Sequence, residues 1–398
     1  MALDFSLSPE QELIKTSARA MMHKFAGRAD EFKQMILKEK RFPAEIWRAF
    51  ADAGLLGAVI PEEYGGTDAG LLSVALAAEE IGKHGFGSAL FIVTVMDTAC
   101  IVRNGSEELK KRVLPRIASG DLTLCFALTE PDAGSNTFRL ETFAKKDGAG
   151  YRLNGQKVFI TGADHADLML VVARTKSRED TVKEGFPKMY GRSLFLVDPK
   201  AKGIAMQPLP MHGIEGARQF HIFFDDVAVG AEDMVGFPHA GTMALFNSLN
   251  PERILAAANA VGCTEYLIER SVAYAKERKV FHDTPIGAHQ AVAHPLAELK
   301  IELEACRLST RHAAWAFDQN LSPLEDGFLS NAAKYKAAEM WIAAADRAIQ
   351  THGGYGFSED YGIIHHWASS RLVRTAPISK EMILNYVAEH TLQLPRSY

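Results

Sequence analysis

The stretch Leu122-Thr-Leu-Cys-Phe-Ala-Leu-Thr-Glu-Pro-Asp-Ala-Gly-Ser135 passes from an apolar run into a turn of small and hydroxyl-bearing residues. It reads as a strand that ends in a loop, and it marks a change of character in the chain. After it, Tyr151-Arg-Leu-Asn-Gly-Gln-Lys-Val-Phe-Ile160 reads as two short strands around Asn154-Gly155, a strong hairpin signal. Leu168 to Ala173, Ser193 to Val197 and Gln219 to Phe224 are further strand candidates, and 175–191 reads as a polar loop. Residues 122–235 are therefore expected to form a β-domain.

The flanks read as helical. Ser8-Pro9-Glu10-Gln11 is a capping box with proline in the first turn. Helices are expected over Pro43–Ala53, Leu71–Lys83, Leu90–Asn104 and Ser106–Ile117, which makes 1–121 an N-terminal helical domain. In 236–398 the pattern gives helices at Arg253–Lys279, His289–Gln319 with Pro295 near its start, Ser330–His352 and Ser379–Leu392. The fold class is α+β, in the order helices, strands, helices.

Composition excludes several functions. The chain has 398 residues, 47% hydrophobic and 23% charged, which suits two or three globular domains rather than a disordered or fibrous chain. A net charge of −5 gives no electrostatic footprint for nucleic acid. Cys100, Cys125, Cys263 and Cys306 are scattered without a CxxC pair, so they read as buried thiols in a reducing compartment. The first fifteen residues lack a basic and apolar leader pattern, and no apolar run reaches the roughly 18 residues of a membrane span. A cytoplasmic location is expected. His282, His289 and His294 are not spaced as ligands on one helix face, and no metal is expected.

Taken singly, Thr129–Ser135 is a polar turn and Phe159 a core aromatic. Small residues and hydroxyls at a strand end also let a backbone approach a planar or phosphorylated ligand. The joint series is more telling. Thr129-Glu-Pro-Asp-Ala-Gly-Ser135, Phe159-Ile-Thr161, Glu277-Arg-Lys-Val-Phe281, His289-Gln290 and Gln350-Thr-His-Gly-Gly-Tyr-Gly356 follow one another in that order. The whole chain resembles the acyl-CoA dehydrogenase family, whose C-terminal domain is a four-helix bundle. A Rossmann GxGxxG is absent from the first motif.

The resemblance implies bound FAD. Leu128, Thr129, Phe159 and Thr161 would contact the flavin ring, and Ser135 would sit where flavin and the CoA arm meet. Arg278 would reach the FAD pyrophosphate of a neighbouring subunit, as a guanidinium fork suits phosphate oxygens. Phe281 and Gln290 would complete that patch, with Gln350, Gly353 and Gly354 on the pyrophosphate or adenosine side. The resemblance also implies a homotetramer or homodimer, an acyl-CoA substrate and an electron-transfer flavoprotein as acceptor. The acyl pocket would be lined by Leu90 to Val102 and by the helix after Glu252.

Many relatives place the catalytic base in a loop before the last helix. Here that stretch is Arg374-Thr-Ala-Pro-Ile-Ser-Lys-Glu381, and Pro377 occupies the position expected for the base. Ser379 and Glu381 match cofactor-side positions. A minority of relatives carry the base in an xER stretch, matched by Asn250-Pro-Glu252-Arg253. Glu252 is thus the candidate base and Arg253 a candidate CoA contact. Pro251 suggests the first turn of a helix, where the dipole would lower the Glu252 pKa against the effect of burial. Met211-His-Gly-Ile-Glu-Gly-Ala-Arg218 departs from the family's G-x-R-x-S/T pattern. The expected reaction is α,β-dehydrogenation of an acyl-CoA to the trans-2-enoyl-CoA. Its competitors are a desulfinase or monooxygenase-like reaction on the same fold, and a non-catalytic subunit of a hetero-oligomer.

Overall fold

The computed structural model describes residues 6–396 except 29, 30, 33, 88, 188 and 215. The start of the leader reading (1–5) and Glu215 of the 211–218 segment lie outside the described residues. Helices come first: α1 (Pro9–Phe25), α2 (Ala44–Asp52), α3 (Gly70–Gly82), α4 (Ala89–Asn104) and α5 (Glu107–Ala118). The capping box forms as read. The Ser8 hydroxyl accepts from the Gln11 amide at 3.2 Å, and the Gln11 side chain accepts from the Ser8 amide at 2.9 Å. Every residue of α3 after its first is buried, as an all-round apolar helix requires.

The middle of the chain forms a sheet of eight strands in the order β6-β7-β3-β2-β4-β5-β8, with β1 paired to β4. The strands are β1 (Leu124–Ala127), β2 (Phe143–Asp147), β3 (Gly150–Thr161), β4 (Leu168–Arg174), β5 (Arg192–Val197), β6 (Ile204–Leu209), β7 (Gln219–Val229) and β8 (Met234–Val235). Asn154-Gly155 is not a hairpin turn. It lies inside the single strand β3, at an irregularity in its pairing with β7. Gly155 has φ 138°, and a Cβ there would come within 2.7 Å of the Thr142 backbone, so this glycine serves a close approach and a bulge. The turn is at Gly148, one residue after β2. β2 escaped the sequence reading because of its Lys-Lys-Asp end. β6 escaped because Pro208 is tolerated only on an edge strand, which β6 is. The 175–191 loop contains a helical turn, α6 (Arg178–Lys183), capped by Ser177 on the Asp180 amide.

The C-terminal part carries α7 (Gly241–Glu277), a short hairpin of β9 (Lys279–Val280) and β10 (Thr284–Pro285), then α8 (Gln290–Asp318), α9 (Pro323–His352), α10 (Ile363–Thr375) and α11 (Lys380–Tyr386). α7 starts twelve residues before Arg253 and passes straight through Pro251. The reading of Pro251 as a first-turn proline is therefore corrected. The lost backbone hydrogen bond is outweighed by near-continuous burial from Arg253 to Thr264. α9 begins at Pro323, with Ser322 as its cap. α10 was not read from sequence. It has no side-chain cap and buries only Ile363, His366 and Ser370. After Tyr386 the last helix continues as a π-turn over Val387–Thr391.

The two helical ends of the chain share one core. Leu71, Ala75 and Phe91 of α3 and α4 cluster with Leu255, Val261 and Leu267 of α7 and Trp341 of α9. At the crossing of α3 and α7, Gly82 and Gly262 face each other. A Cβ on Gly262 would lie 2.0 Å from the Glu79 carbonyl oxygen, and one on Gly82 would lie 2.6 Å from the Asn259 oxygen. Arg307 of α8 closes the same region, donating to Glu79 at 2.8 Å and to Glu265 at 2.6 Å. The four cysteines are buried and unbonded to one another. Among the described residues no helix is long and apolar enough to cross a membrane, and no cluster of three His, Cys, Asp or Glu could hold a metal ion.

Gly262→Ala is expected to lose about 1–3 kcal/mol or more of stability in urea denaturation, because the added methyl overpacks a backbone contact. Gly87→Ala, where a Cβ meets nothing within 4 Å, should stay within about 0.5 kcal/mol of the parent protein.

Candidate active site

The loop after β1 is pinned from below by a buried ion pair. Lys157 of β3 is fully buried and donates to the Leu128 carbonyl and to the Glu130 carboxylate, both at 2.8 Å. Glu130 also accepts from the amides of Glu141 at 2.6 Å and Thr142 at 3.0 Å. Burial pushes the Glu130 pKa up, but Lys157 and these amides outweigh it and hold the carboxyl below its usual range. Burial lowers the Lys157 pKa to about 8, against the pull of Glu130. Reciprocal backbone bonds between Glu130 and Ala133 close the turn, and the Val158 amide donates to the Thr129 carbonyl at 2.8 Å. Neither Lys157 nor Glu130 was singled out from sequence. A lysine in a strand carries no local sign of which face it occupies.

This scaffold places Leu128 and Thr129 beside Phe159. Phe159 lies at a register break between Lys157 and Ile160, with φ 59°, and its ring is 55% exposed. The bare reading of Phe159 as core is thus corrected. A left-handed aromatic at a bulge is a costly conformation, of the kind that re-aims a side chain at a site. Thr161 accepts from the Gln219 side-chain amide at 2.9 Å, and Gln219 is itself buried. Ser135 is exposed farther along the same loop.

A second group gathers at the far end of α7. Arg278, Gln350, Gly353 and Gly354 line one pocket of about 480 Å³ together with Tyr274, Ile286, Thr351, His352 and Tyr355. Gly353 has φ 60°, and a Cβ on either glycine would meet nothing within 4 Å, so their backbone is open to a ligand. A guanidinium, a carboxamide and open glycine backbone form a donor set that fits a pyrophosphate. Phe281 is 81% exposed at the tip of the β9–β10 hairpin, and Gln290 is exposed at the start of α8; neither lines the pocket. The pocket contains none of the residues grouped around Phe159.

Glu252 lies in the interior of α7, eleven residues after the helix begins, and far from a positive helix end. The dipole effect expected from Pro251 is therefore absent. Burial instead raises the Glu252 pKa to about 7, with Arg253 and Lys334 opposing. The side chain stays partly accessible, and no described residue donates a hydrogen bond to it. Its neighbours are held firmly. Arg253 is buried and donates to the Asn250 side chain at 2.8 Å, and Ser330 of α9 donates to the same oxygen at 3.3 Å. One turn along α9, buried Lys334 donates to the Ile378 carbonyl at 2.5 Å. Burial lowers the Arg253 pKa to about 10 and that of Lys334 to about 8. Lys334 was missed in the sequence, although its spacing from Ser330, Ala337 and Trp341 puts it on the apolar stripe of α9.

The loop fastened by Lys334 carries Pro377 after a cis peptide bond from Ala376. Ser379 is the N-cap of α11, its hydroxyl accepting from the Met382 amide at 3.3 Å. Glu381 is exposed in the first turn of that helix.

Three family models match the chain in succession: the N-terminal domain of acyl-CoA dehydrogenase over residues 8–121, its middle domain over 125–227 and its C-terminal domain over 239–392. The acyl-CoA dehydrogenase fadE12 of Mycobacterium tuberculosis is 43% identical over 360 residues, 89% of each chain. The glutaryl-CoA dehydrogenase of Desulfococcus multivorans is 33% identical, over 94% of this chain and 93% of its own. Among solved structures, a glutaryl-CoA dehydrogenase in complex with glutaryl-CoA superposes with a TM-score of 0.89 at 30% identity, covering 99% of this chain and 98% of that one.

Lys157→Met leaves the Glu130 carboxylate buried without its cation. A loss of about 3–5 kcal/mol in urea unfolding is expected, along with a lower flavin content in the purified protein.

Proposed function

Because the chain belongs to the acyl-CoA dehydrogenase family, an FAD enzyme family, we propose that it oxidises an acyl-CoA to the trans-2-enoyl-CoA with Glu252 as the base that takes the α-proton. The observation that carries this reading is the environment of Glu252. The residue is partly accessible, its carboxylate has no hydrogen-bond donor among the described residues, and desolvation raises its pKa to about 7. A base is most effective when its pKa lies near working pH. Pro377 has no carboxyl to offer from the neighbouring loop. Lys334 holds that loop by the Ile378 carbonyl.

The buried charges support the assignment. Arg253 and Lys334 keep Glu252 ionised over part of the neutral range, so that it can accept a proton. They stay in place through Asn250, Ser330 and Ile378, without neutralising Glu252 by direct hydrogen bonds. Bound FAD supplies the acceptor for the β-hydride. Leu128, Thr129, Phe159 and Thr161 present a pinned loop, an exposed ring and a hydroxyl suited to its isoalloxazine. Arg278, Gln350, Gly353 and Gly354 suit the pyrophosphate, and Arg253 and Ser135 are the candidate contacts of the CoA thioester. Ser379 and Glu381 remain candidate cofactor-side residues, with the Ser379 hydroxyl already engaged as a cap.

The pocket of Arg278, Gln350, Gly353 and Gly354 shares no lining residue with the group around Phe159. A site assembled from two copies accounts for this, with Arg278, Phe281 and Gln290 of one copy completing the FAD site of another. An apolar groove of about 640 Å³, lined by Ile268, Val272, Leu296 and Ala297, is consistent with a homotetramer or homodimer. An electron-transfer flavoprotein is the proposed electron acceptor.

Glu252→Gln should lower turnover with acyl-CoA by about 10²–10⁴-fold. With its pKa raised from 4.5 to about 7, Glu252 makes the parent protein lose stability as pH climbs from about 4.5 to about 7, a loss complete above that, so this variant should be at least as stable as the parent protein at pH 8. The pH profile of kcat/KM should rise through about 7 and then level off. Near-normal anaerobic bleaching of the flavin by substrate in Glu252→Gln would remove the assignment. Arg278→Ala should purify with reduced FAD content, and light scattering should find more than one chain per particle in the parent protein.

A further inference from the structure

The Arg278 pocket lies at the carbonyl end of α9, the wrong end of a helix for an anion. The last carbonyl oxygens carry partial negative charge, so a phosphate bound there needs positive charge from side chains. Arg278 supplies one such charge. The other titratable groups among the described residues lining the pocket are His352, Tyr274 and Tyr355, and none is a carboxylate. His352 is the last residue of α9 and has no part in the assignments above.

Nδ1 of His352 lies 2.7 Å from the Ala348 carbonyl oxygen. A carbonyl only accepts, so Nδ1 carries the hydrogen, and in the neutral ring Nε2 carries the lone pair. Nε2 has no hydrogen-bond partner among the described residues, yet it is not sealed from solvent as the unpartnered Trp341 indole nitrogen is. The residue is only 3% exposed and lines the Arg278 pocket, so its open nitrogen is reached from that side. The ring is held in this position by its neighbours. Tyr274 of α7 lies across its face with the centroids 4.5 Å apart, and Tyr361 meets it edge-on at 5.7 Å.

A neutral imidazole would turn its lone pair toward a phosphate oxygen, two acceptors with no proton between them. A second proton, on Nε2, converts that contact into a charge-assisted hydrogen bond. In the free protein burial lowers the His352 pKa, the Ala348 bond opposes this and Arg270 of α7 adds to it, so the ring is neutral near pH 7. The charged and titratable groups facing it are Arg270, Tyr274 and Arg278 from α7, with Tyr355 and Tyr361 from the segment after α9. A diphosphate reverses the sign of that surrounding field, and the helix end and the Tyr274 ring both favour an imidazolium. We infer that His352 is a further cofactor-binding residue: as a diphosphate enters the Arg278 pocket, Nε2 takes a proton from solvent and hydrogen-bonds a phosphate oxygen. The inference rests on the assignment of this pocket to FAD. It couples flavin binding to proton uptake, so FAD is held more tightly at pH 6 than at pH 8.

The test titrates the full-length protein, freed of flavin, with FAD at about pH 6, 7 and 8 and constant ionic strength, beside His352→Phe, His352→Gln and Arg278→Ala. Flavin fluorescence gives Kd, and calorimetry at about pH 7 in two buffers of different ionisation heat gives the protons taken up. In the parent protein Kd should rise with pH by up to about tenfold per unit, the limit for one proton, with a net uptake of up to about one proton per FAD. His352→Phe should bind about 10- to 100-fold more weakly at pH 6 and lose both the slope and the proton uptake. His352→Gln, a neutral donor, should recover part of the affinity but not the slope, which separates loss of the charge from loss of the fold. Arg278→Ala should weaken binding at every pH and keep the slope. Binding by the parent protein that does not vary with pH, or a slope that survives in His352→Phe, overturns the inference and leaves the cofactor reading intact. FAD binding unchanged by Arg278→Ala removes this pocket from the cofactor reading, and the inference with it.

Discussion

The backbone contact between Gly82 and Gly262 sets the geometry on which the other features depend. With no side chain between them, α3 and α7 touch at their main chains, and the two helical ends of the sequence become one core. α7 is 37 residues long, about 55 Å. Its first residue, Gly241, is pressed against β5, where a Cβ would come within 2.9 Å of the Ser193 Cα. Its end delivers Arg278 to the pocket at the C-terminal turn of α9. Sheet contact, candidate base, glycine crossing and arginine pocket are thus spaced along one rigid rod. Its interior proline does not divide it, because burial on both sides exceeds the cost of a missing hydrogen bond.

Buried charge is managed differently at each point along this frame. Lys157 and Glu130 are fully paired, and the pair holds a loop in place. Arg253 and Lys334 are tied to neutral oxygens, which fixes their positions and leaves their charge to act on Glu252. Glu252 itself is left without donors, so desolvation dominates its proton affinity. Asp97 is more deeply buried than Glu130 or Glu252, and only one of its oxygens has a hydrogen-bond partner among the described residues.

Much of the architecture was legible because hydrophobic period and caps are local. The Ser8 box, the apolar run of α3, and strands β1, β4 and β5 all form as read. The elements that escaped had weak local signals. β6 carries a proline that only an edge position permits, and α10 buries a thin stripe without a cap. Asn154-Gly155 had the signal of a turn but serves a bulge, because Thr142 lies against Gly155. Pro251 had the signal of a helix start but stands in a helix interior, a tertiary override of a local preference. That one difference reversed the expected influence on Glu252, from a dipole that lowers its pKa to burial that raises it.

By itself the sequence determined the order of helices and strands, the family to which the chain belongs and the residue types available for flavin, phosphate and proton chemistry. These are properties of spacing and composition along the chain. Only the tertiary structure decided that Phe159 faces outward, that Lys157 and Lys334 are buried, and that Arg278 shares a pocket with Gly353 rather than with Phe159. It also decided that Asp97 of α4 is bonded to Ser248 of α7. Desolvation and pairing depend on what packs around a group from distant parts of the chain, and a local pattern carries no record of those neighbours.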